Sequence, residues 1–190
     1  MPVDRPIMKF ETPAEVAAWF EANAGESDGI MVLIAKKAST VVTPTYLEVL
    51  DVALAWGWID SIVRKYDDDC YQQAFTPRRS RSPWSKVNRE KVEAMIAAGT
   101  MMPSGLAAVE QARANGRWEA AYAGQATSEV PPDFLEALGR SPKAAAFYET
   151  LTKQNKYAVY FRLNDAKKPE TRARRVAKFV EMFERGEKFY

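Results

Sequence analysis

The sequence contains no histidine and a single cysteine. Without histidine there is no Ser-His-Asp triad, no Cys-His pair and no imidazole-ligated metal. Cys70 alone forms neither an intrachain disulfide nor a thiolate cage, and a lone cysteine suits a reducing compartment. Long apolar runs are missing too. The longest, 30–35 and 52–59, are far too short to cross a bilayer. Near the N-terminus Asp4, Arg5, Lys9, Glu11 and Glu15 interrupt any signal-peptide core, so a cytoplasmic protein without membrane insertion is expected. No tract is repetitive or of low complexity. The remaining chemical groups are carboxylates, Lys, Tyr, Arg and one thiol, none of which titrates near neutrality without help from its surroundings.

What is present suits a folded chain. The 190 residues are 47% apolar and 27% charged, enough for one domain or two small subdomains with a proper core. Disorder is expected only in the first few residues and in Lys188, Phe189 and Tyr190.

Hydrophobic period divides the chain. Residues 7–10 read as a short strand, and Thr12-Pro13 opens a helix with Val16, Trp19 and Phe20 on one face. The apolar run at 30–35 has the length of a strand buried on both faces. Thr43-Pro44 opens a second helix, carrying Tyr46, Val49, Leu50, Ala53 and Leu54 and ended by Gly57. From Trp58 the period becomes two. Trp58, Asp60, Ile62 and Arg64 then share one face, Asp67-Asp68-Asp69 form a solvated turn, and a return strand runs from Cys70 to Thr76. The fold class is α+β: a β-α-β-α-β-β subdomain over 1–80, then an all-helical subdomain over 81–190. Helices are expected from Ser82-Pro83 or Ser85 to Ala98, and over 103–115, 118–123, 133–138, 141–151, 153–163 and 169–185, with a polar linker at 124–132. In the last helix Ala173, Val176, Ala177, Val180 and Phe183 form the expected buried stripe.

Charge is segregated. Residues 78–91 hold six basic side chains against Glu90, a local +5, and residues 162–178 hold seven against Asp165 and Glu170, again +5, in a chain of net +2. The first segment joins a strand to a helix start, where free N–H groups and the dipole favour an anion. Arg78, Arg79, Ser82, Ser85, Lys86 and Asn88 are the candidate anion ligands, with Trp84 available to stack on a ligand or a cation. Trp58, Asp60 and Arg64, joined by Tyr71, Gln73 and Phe75 of the next strand, would complete a polar pocket. An arginine neighbour favours the charged carboxylate, a poor general base near neutrality, so an Asp60–Arg64 pair reads better as an ion pair than as a catalyst. No cofactor or metal is implied; the triple aspartate lacks the spacing and glycine of a calcium loop. The expected partner is an anionic small molecule. Nucleic acid is the alternative, resting on charge alone, and an enzyme using Asp60 with Lys or Tyr groups in the same cleft is another.

Several motifs together resemble a family. They are Ile34-Ala35-Lys36-Lys37, Gly57-Trp58-Ile59-Asp60, Phe75-Thr76-Pro77-Arg78-Arg79, Trp84-Ser85-Lys86-Val87-Asn88 and the run from Lys167 to Arg175. From about residue 30 onward they resemble the bacterial YdeI/OmpD-associated, or bacteriocin-protection, family, with Ser61 where many members carry glycine. The resemblance implies a bacterial protein tied to tolerance of bacteriocins or cationic antimicrobial peptides, with no catalytic residues to carry over, and the leading expectation is a non-enzymatic binding protein that supports stress or peptide tolerance from the cytosol. The porin partner that the family name implies is set aside, because no export signal is found.

Overall fold

The computed structural model describes residues 5–125 and 127–190. The N-terminal residues expected to be disordered therefore lie outside the described residues up to position 4. The elements run β1 (Ile7–Met8), α1 (Pro13–Asn23), β2 (Ile30–Ala35), α2 (Tyr46–Ala55), β3 (Trp58–Lys65) and β4 (Cys70–Pro77), then α3 (Lys86–Ala97), α4 (Pro103–Ala114), α5 (Pro132–Gly139), α6 (Pro142–Thr150), α7 (Lys153–Asp165) and α8 (Pro169–Glu184). The α+β class and its β-α-β-α-β-β opening are thus present. The chain divides into two compact units, Met1–Trp84 with Asn88–Ala120, and Ala121–Tyr190 with Ser85–Val87. The boundary expected at 80/81 marks a change of secondary structure; by contact, most of α3 and all of α4 belong with the sheet.

In the first unit a four-stranded mixed sheet has the order β1-β2-β4-β3, with β1 parallel to β2 and the other pairs antiparallel. Thr12 caps α1 by accepting a bond from the Glu15 amide. Helix α2 starts two residues later than the Thr43-Pro44 signal suggests. The Thr43 hydroxyl accepts from the Ala35 amide, which leaves Thr45 and Glu48 to form a reciprocal capping box. Val16 and Phe20 of α1 and Val49, Leu50, Ala53 and Leu54 of α2 are buried, and Trp58 meets Phe20 and Trp19 edge to face at 5.0 and 6.0 Å. Gly57, at φ +78°, turns the chain from α2 into β3.

Residues 118–123, expected as a short helix, are turn and extended chain. The reason lies upstream: Gly116 takes φ +70°, and the amides of Arg117 and Trp118 both donate back to the Ala112 carbonyl at 2.8 and 3.1 Å, which closes α4. Trp118 is then spent on packing against Trp84, at a ring separation of 4.8 Å.

In the second unit, α5 to α8 enclose Phe134, Leu138, Tyr148, Leu151, Val159, Leu163, Phe179 and Phe183. Ser141 caps α6 as its sequence signal predicts. Of the stripe expected on α8, Phe183 is buried and Val176 and Val180 pack against the core, while the two alanines fall outside it. Phe179 and Phe183 point inward, whereas Ala173 and Ala177 are exposed, because the two aromatic side chains supply the larger apolar surface and set the helix face. Of the C-terminal residues expected to be disordered, Phe189 is held, while Lys188 and Tyr190 are exposed: the Phe189 amide donates to Asn155 Oδ1 at 3.2 Å, and its ring meets Phe179 at 5.1 Å. The linker region at 124–132 contains turns around Gly124, with Ala126 outside the described residues.

Candidate functional site

The residues expected to form one site are distributed among several roles. Trp58 is a core side chain, 2% exposed. Asp60 is half-buried and accepts a 3.0 Å hydrogen bond from the Tyr46 hydroxyl, a partner on α2 that strand periodicity does not disclose. Arg64 is exposed and does not share Asp60's face. The register explains why. Asp60 pairs with Phe75 and Val63 with Gln73, so three steps along β3 match two along β4, and the bulge carries Arg64 to the opposite side. The Asp60–Arg64 pair expected from even spacing is replaced by Tyr46–Asp60. Gln73 and Phe75 do lie on Asp60's face, as expected.

The helix start is also used differently. The Lys86 amide, a free donor in the anion-site reading, donates to the Tyr122 carbonyl at 2.9 Å, and Ser85 forms an isolated parallel bridge with Tyr122. Both residues group with the second unit. Asn88 is buried. Ser82 caps no helix; its hydroxyl accepts from the Arg79 amide at 2.9 Å in a turn closed by Ser82 N–H to the Arg79 carbonyl.

What the first unit does assemble is a cleft of about 530 Å³ lined by Arg5, Asp28, Ser61, Ile62, Thr76, Pro77, Arg78, Arg79 and Ser82. Three of the candidate ligands, Arg78, Arg79 and Ser82, reach it. The Arg78 amide donates to the Gly57 carbonyl, which fixes the chain as it leaves β4. Its guanidinium donates to the Pro83 carbonyl at 3.1 Å and lies over the Trp84 ring. Trp84 therefore stacks on a cation of its own chain.

Arg5 is the member that sequence reasoning missed. It is 73 positions from Arg78, and no local pattern links them. The structural signal is Gly29, at φ +136°, where an added Cβ would stand 2.6 Å from Arg5 Nε and 2.8 Å from the Thr76 methyl. Glycine leaves the space in which Arg5 rests. Its Nε is buried and has no hydrogen-bond partner, an unfavourable state for a charged group unless an acceptor arrives. Three arginines against Asp28 make the lining net positive, and guanidinium groups suit oxyanions through paired N–H donors.

The other singled-out residues have structural roles. Asp67 closes the hairpin turn by accepting from the amides of Cys70 and Asp69, and these bonds, Cys70's first, hold its carboxyl below the usual range. Lys36 donates to the carbonyls of Asp67 and Asp68. Burial pushes the Cys70 thiol up, away from reactivity. Of the second basic segment, Arg172 holds Asp133 with two bonds of 2.6 and 2.8 Å and the Leu163 carbonyl with a third, while Arg175 donates to the Arg162 carbonyl. These two arginines are braces between helices, while Lys167, Lys168, Arg174 and Lys178 are exposed.

Residues 8–108, more than half of the chain, match the family described as a domain of unknown function, DUF8412. The chain belongs to this family. The match covers β2, β3 and β4 of the sheet, and it contains Arg78, Arg79 and Ser82 of the cleft. Residues 127–186 match the family described as bacteriocin-protection, YdeI or OmpD-associated. The resemblance drawn from residue 30 onward thus holds for the helical C-terminal segment, whereas the motifs at 34–37, 57–60, 75–79 and 84–88 lie within the DUF8412 match. No curated protein and no solved structure shows a significant match. No described helix is long and apolar enough to cross a membrane.

Proposed function

We propose that this chain is a binding protein rather than an enzyme, holding a small anion in the Arg5–Arg78–Arg79 cleft and supporting bacteriocin-type protection from inside the cell. The observation that carries the reading is the buried Arg5 Nε without an acceptor, in a positively charged cleft of ligand size. An oxyanion would accept from Arg5 and Arg79, with the Ser61 and Thr76 hydroxyls beside them. The contribution of the 127–186 match is the protective role, because its family description names bacteriocin protection. The reducing compartment suits the single, buried, free Cys70.

Thermal melting across a series of phosphate, sulfate and mononucleotide concentrations tests the site. A ligand that binds only the native state raises the melting temperature in a saturable way. The expected result is such a rise, abolished by Arg5→Ala with Arg79→Ala while the unliganded melt is little changed. Arg78 is unsuitable for this purpose because its stacking on Trp84 is structural. A melt indifferent to all of these anions overturns the site. Binding to DNA or RNA that falls steeply with salt, and weakens on Arg174→Ala with Lys178→Ala, would assign the chain to nucleic acid instead.

A further inference from the structure

The second unit carries a surface that the cleft does not explain. A groove of about 680 Å³ runs between α5 and α8, with Ala137, Ala173, Val176, Ala177 and Val180 along its apolar floor. Ala173 and Ala177 are exposed on a helix whose buried face is already made by Phe179 and Phe183. Positions 173, 177, 180 and 184 follow the three-and-four spacing of a helix-pairing seam. Along the outer flank of that seam stand Glu170, Arg174, Glu181 and Arg185, alternating in sign.

That flank is complementary to itself when reversed. Two antiparallel copies of α8 crossing near Ala177 place Arg174 opposite Glu181 of the second copy and Glu170 opposite Arg185, each contact occurring twice by symmetry. Flanking charges of this kind set orientation and partner choice in paired helices. The small side chains of Ala173 and Ala177 permit close approach of the two axes. Arg185 donates to Glu181 at 2.7 Å within one chain, so the carboxylate is already held at the rim. We infer that the α5–α8 groove is a homodimer interface, in which α8 of a second copy lies antiparallel against α8 and caps the apolar floor. This inference is independent of the anion cleft, which lies in the other unit.

Sedimentation and light scattering of the full chain over a wide concentration range test it. The expected mass rises with concentration from 21.4 kDa toward twice that value. Ala177→Glu places a carboxylate in the seam at an exposed position; it should melt like the parent chain yet stay monomeric. Arg174→Glu alone should weaken the dimer about tenfold, since two flanking attractions become repulsions. Adding Glu181→Arg to Arg174→Glu should restore it, a rescue that a merely structural role for either residue would not produce. A wild-type chain monomeric at every concentration, or a dimer indifferent to Ala177→Glu, overturns the proposal. So does a monomer whose groove takes up a basic amphipathic peptide, which would give the surface to a different partner.

Discussion

The Arg78 guanidinium lies 3.5 Å from the centre of the Trp84 ring, and Trp84 in turn meets Trp118 edge to face at 4.8 Å. Trp84 is 2% exposed, so the cation rests on a desolvated ring, where such a contact contributes about 2 kcal/mol. A lysine keeps the charge but loses the flat stack and the bond to the Pro83 carbonyl. Arg78→Lys should therefore lower stability by about 1–2 kcal/mol in urea unfolding, whereas Arg79→Lys, at an exposed position, should change it little. Equal effects of the two would mean the stack adds nothing.

Helix α4 approaches the end of α2 through a glycine. A Cβ on Gly105 would stand 2.1 Å from the Ala55 carbonyl oxygen and 2.9 Å from its carbon, both backbone atoms. The Met102 amide and the Ser104 hydroxyl donate to the carbonyls of Ala55 and Trp56, so this contact cannot open without breaking bonds. Gly105→Ala should cost at least about 1–3 kcal/mol, the range of overpacking, against the small gain ordinarily expected from alanine in a helix. Gly139→Ala, where nothing lies within 4 Å, is the matched control and should be neutral or stabilising. A stable Gly105→Ala chain would show that α4 does not bear on Ala55.

The Asp133–Arg172 pair gives the second unit an acid dependence. Hydrogen bonding from Arg172, against an opposing desolvation, holds the Asp133 carboxyl below its ordinary 3.8. A folded-state value lower than the unfolded one contributes stability that is present above about 3.8 and is lost as pH falls through the folded value. Asp133→Asn should therefore be less stable than the parent near neutrality, with the difference shrinking at the acid end of a melting series. Both side chains are partly exposed, 43% for Asp133, so the effect is that of a screened pair. A difference constant from neutrality to pH 2 would exclude this linkage.

The elements were legible because their signals are local. Thr12-Pro13 and Ser141-Pro142 cap the helices they announce, and the apolar run of β2 is a buried strand. The site was legible only where it is continuous in sequence, at Arg78, Arg79 and Ser82. Arg5, which precedes β1, rests in the space left by Gly29 beside Thr76, a contact that no spacing encodes. The bulge between Asp60 and Val63 reversed one expected face, since a single extra residue flips every side chain after it. On α8 Phe179 joins the expected Phe183 in the core, where its ring buries more apolar surface than Ala173 or Ala177 could.

Tyr148 offers the sharpest test of the helical core. Its ring is buried among Phe134 and Phe183, and its hydroxyl is buried with no hydrogen-bond partner. A buried hydroxyl without a partner carries a desolvation cost of about 1–3 kcal/mol. Tyr148→Phe keeps the ring and removes that cost, so it should be neutral or stabilising by about 1 kcal/mol in chemical unfolding. The same burial, followed by the nearby Glu149 charge, pushes its ionisation up from 10.0 to about 12. A raised folded value contributes stability that is complete below the unfolded value of 10.0 and is lost as pH rises through the folded one. The parent chain should thus lose stability between about pH 10 and 12, and Tyr148→Phe should lose less. Tyr157, also pushed up to about 12, leaves a residual slope that Tyr157→Phe removes in turn. A Tyr148→Phe chain clearly less stable at neutral pH would show that the hydroxyl does find a partner in solution.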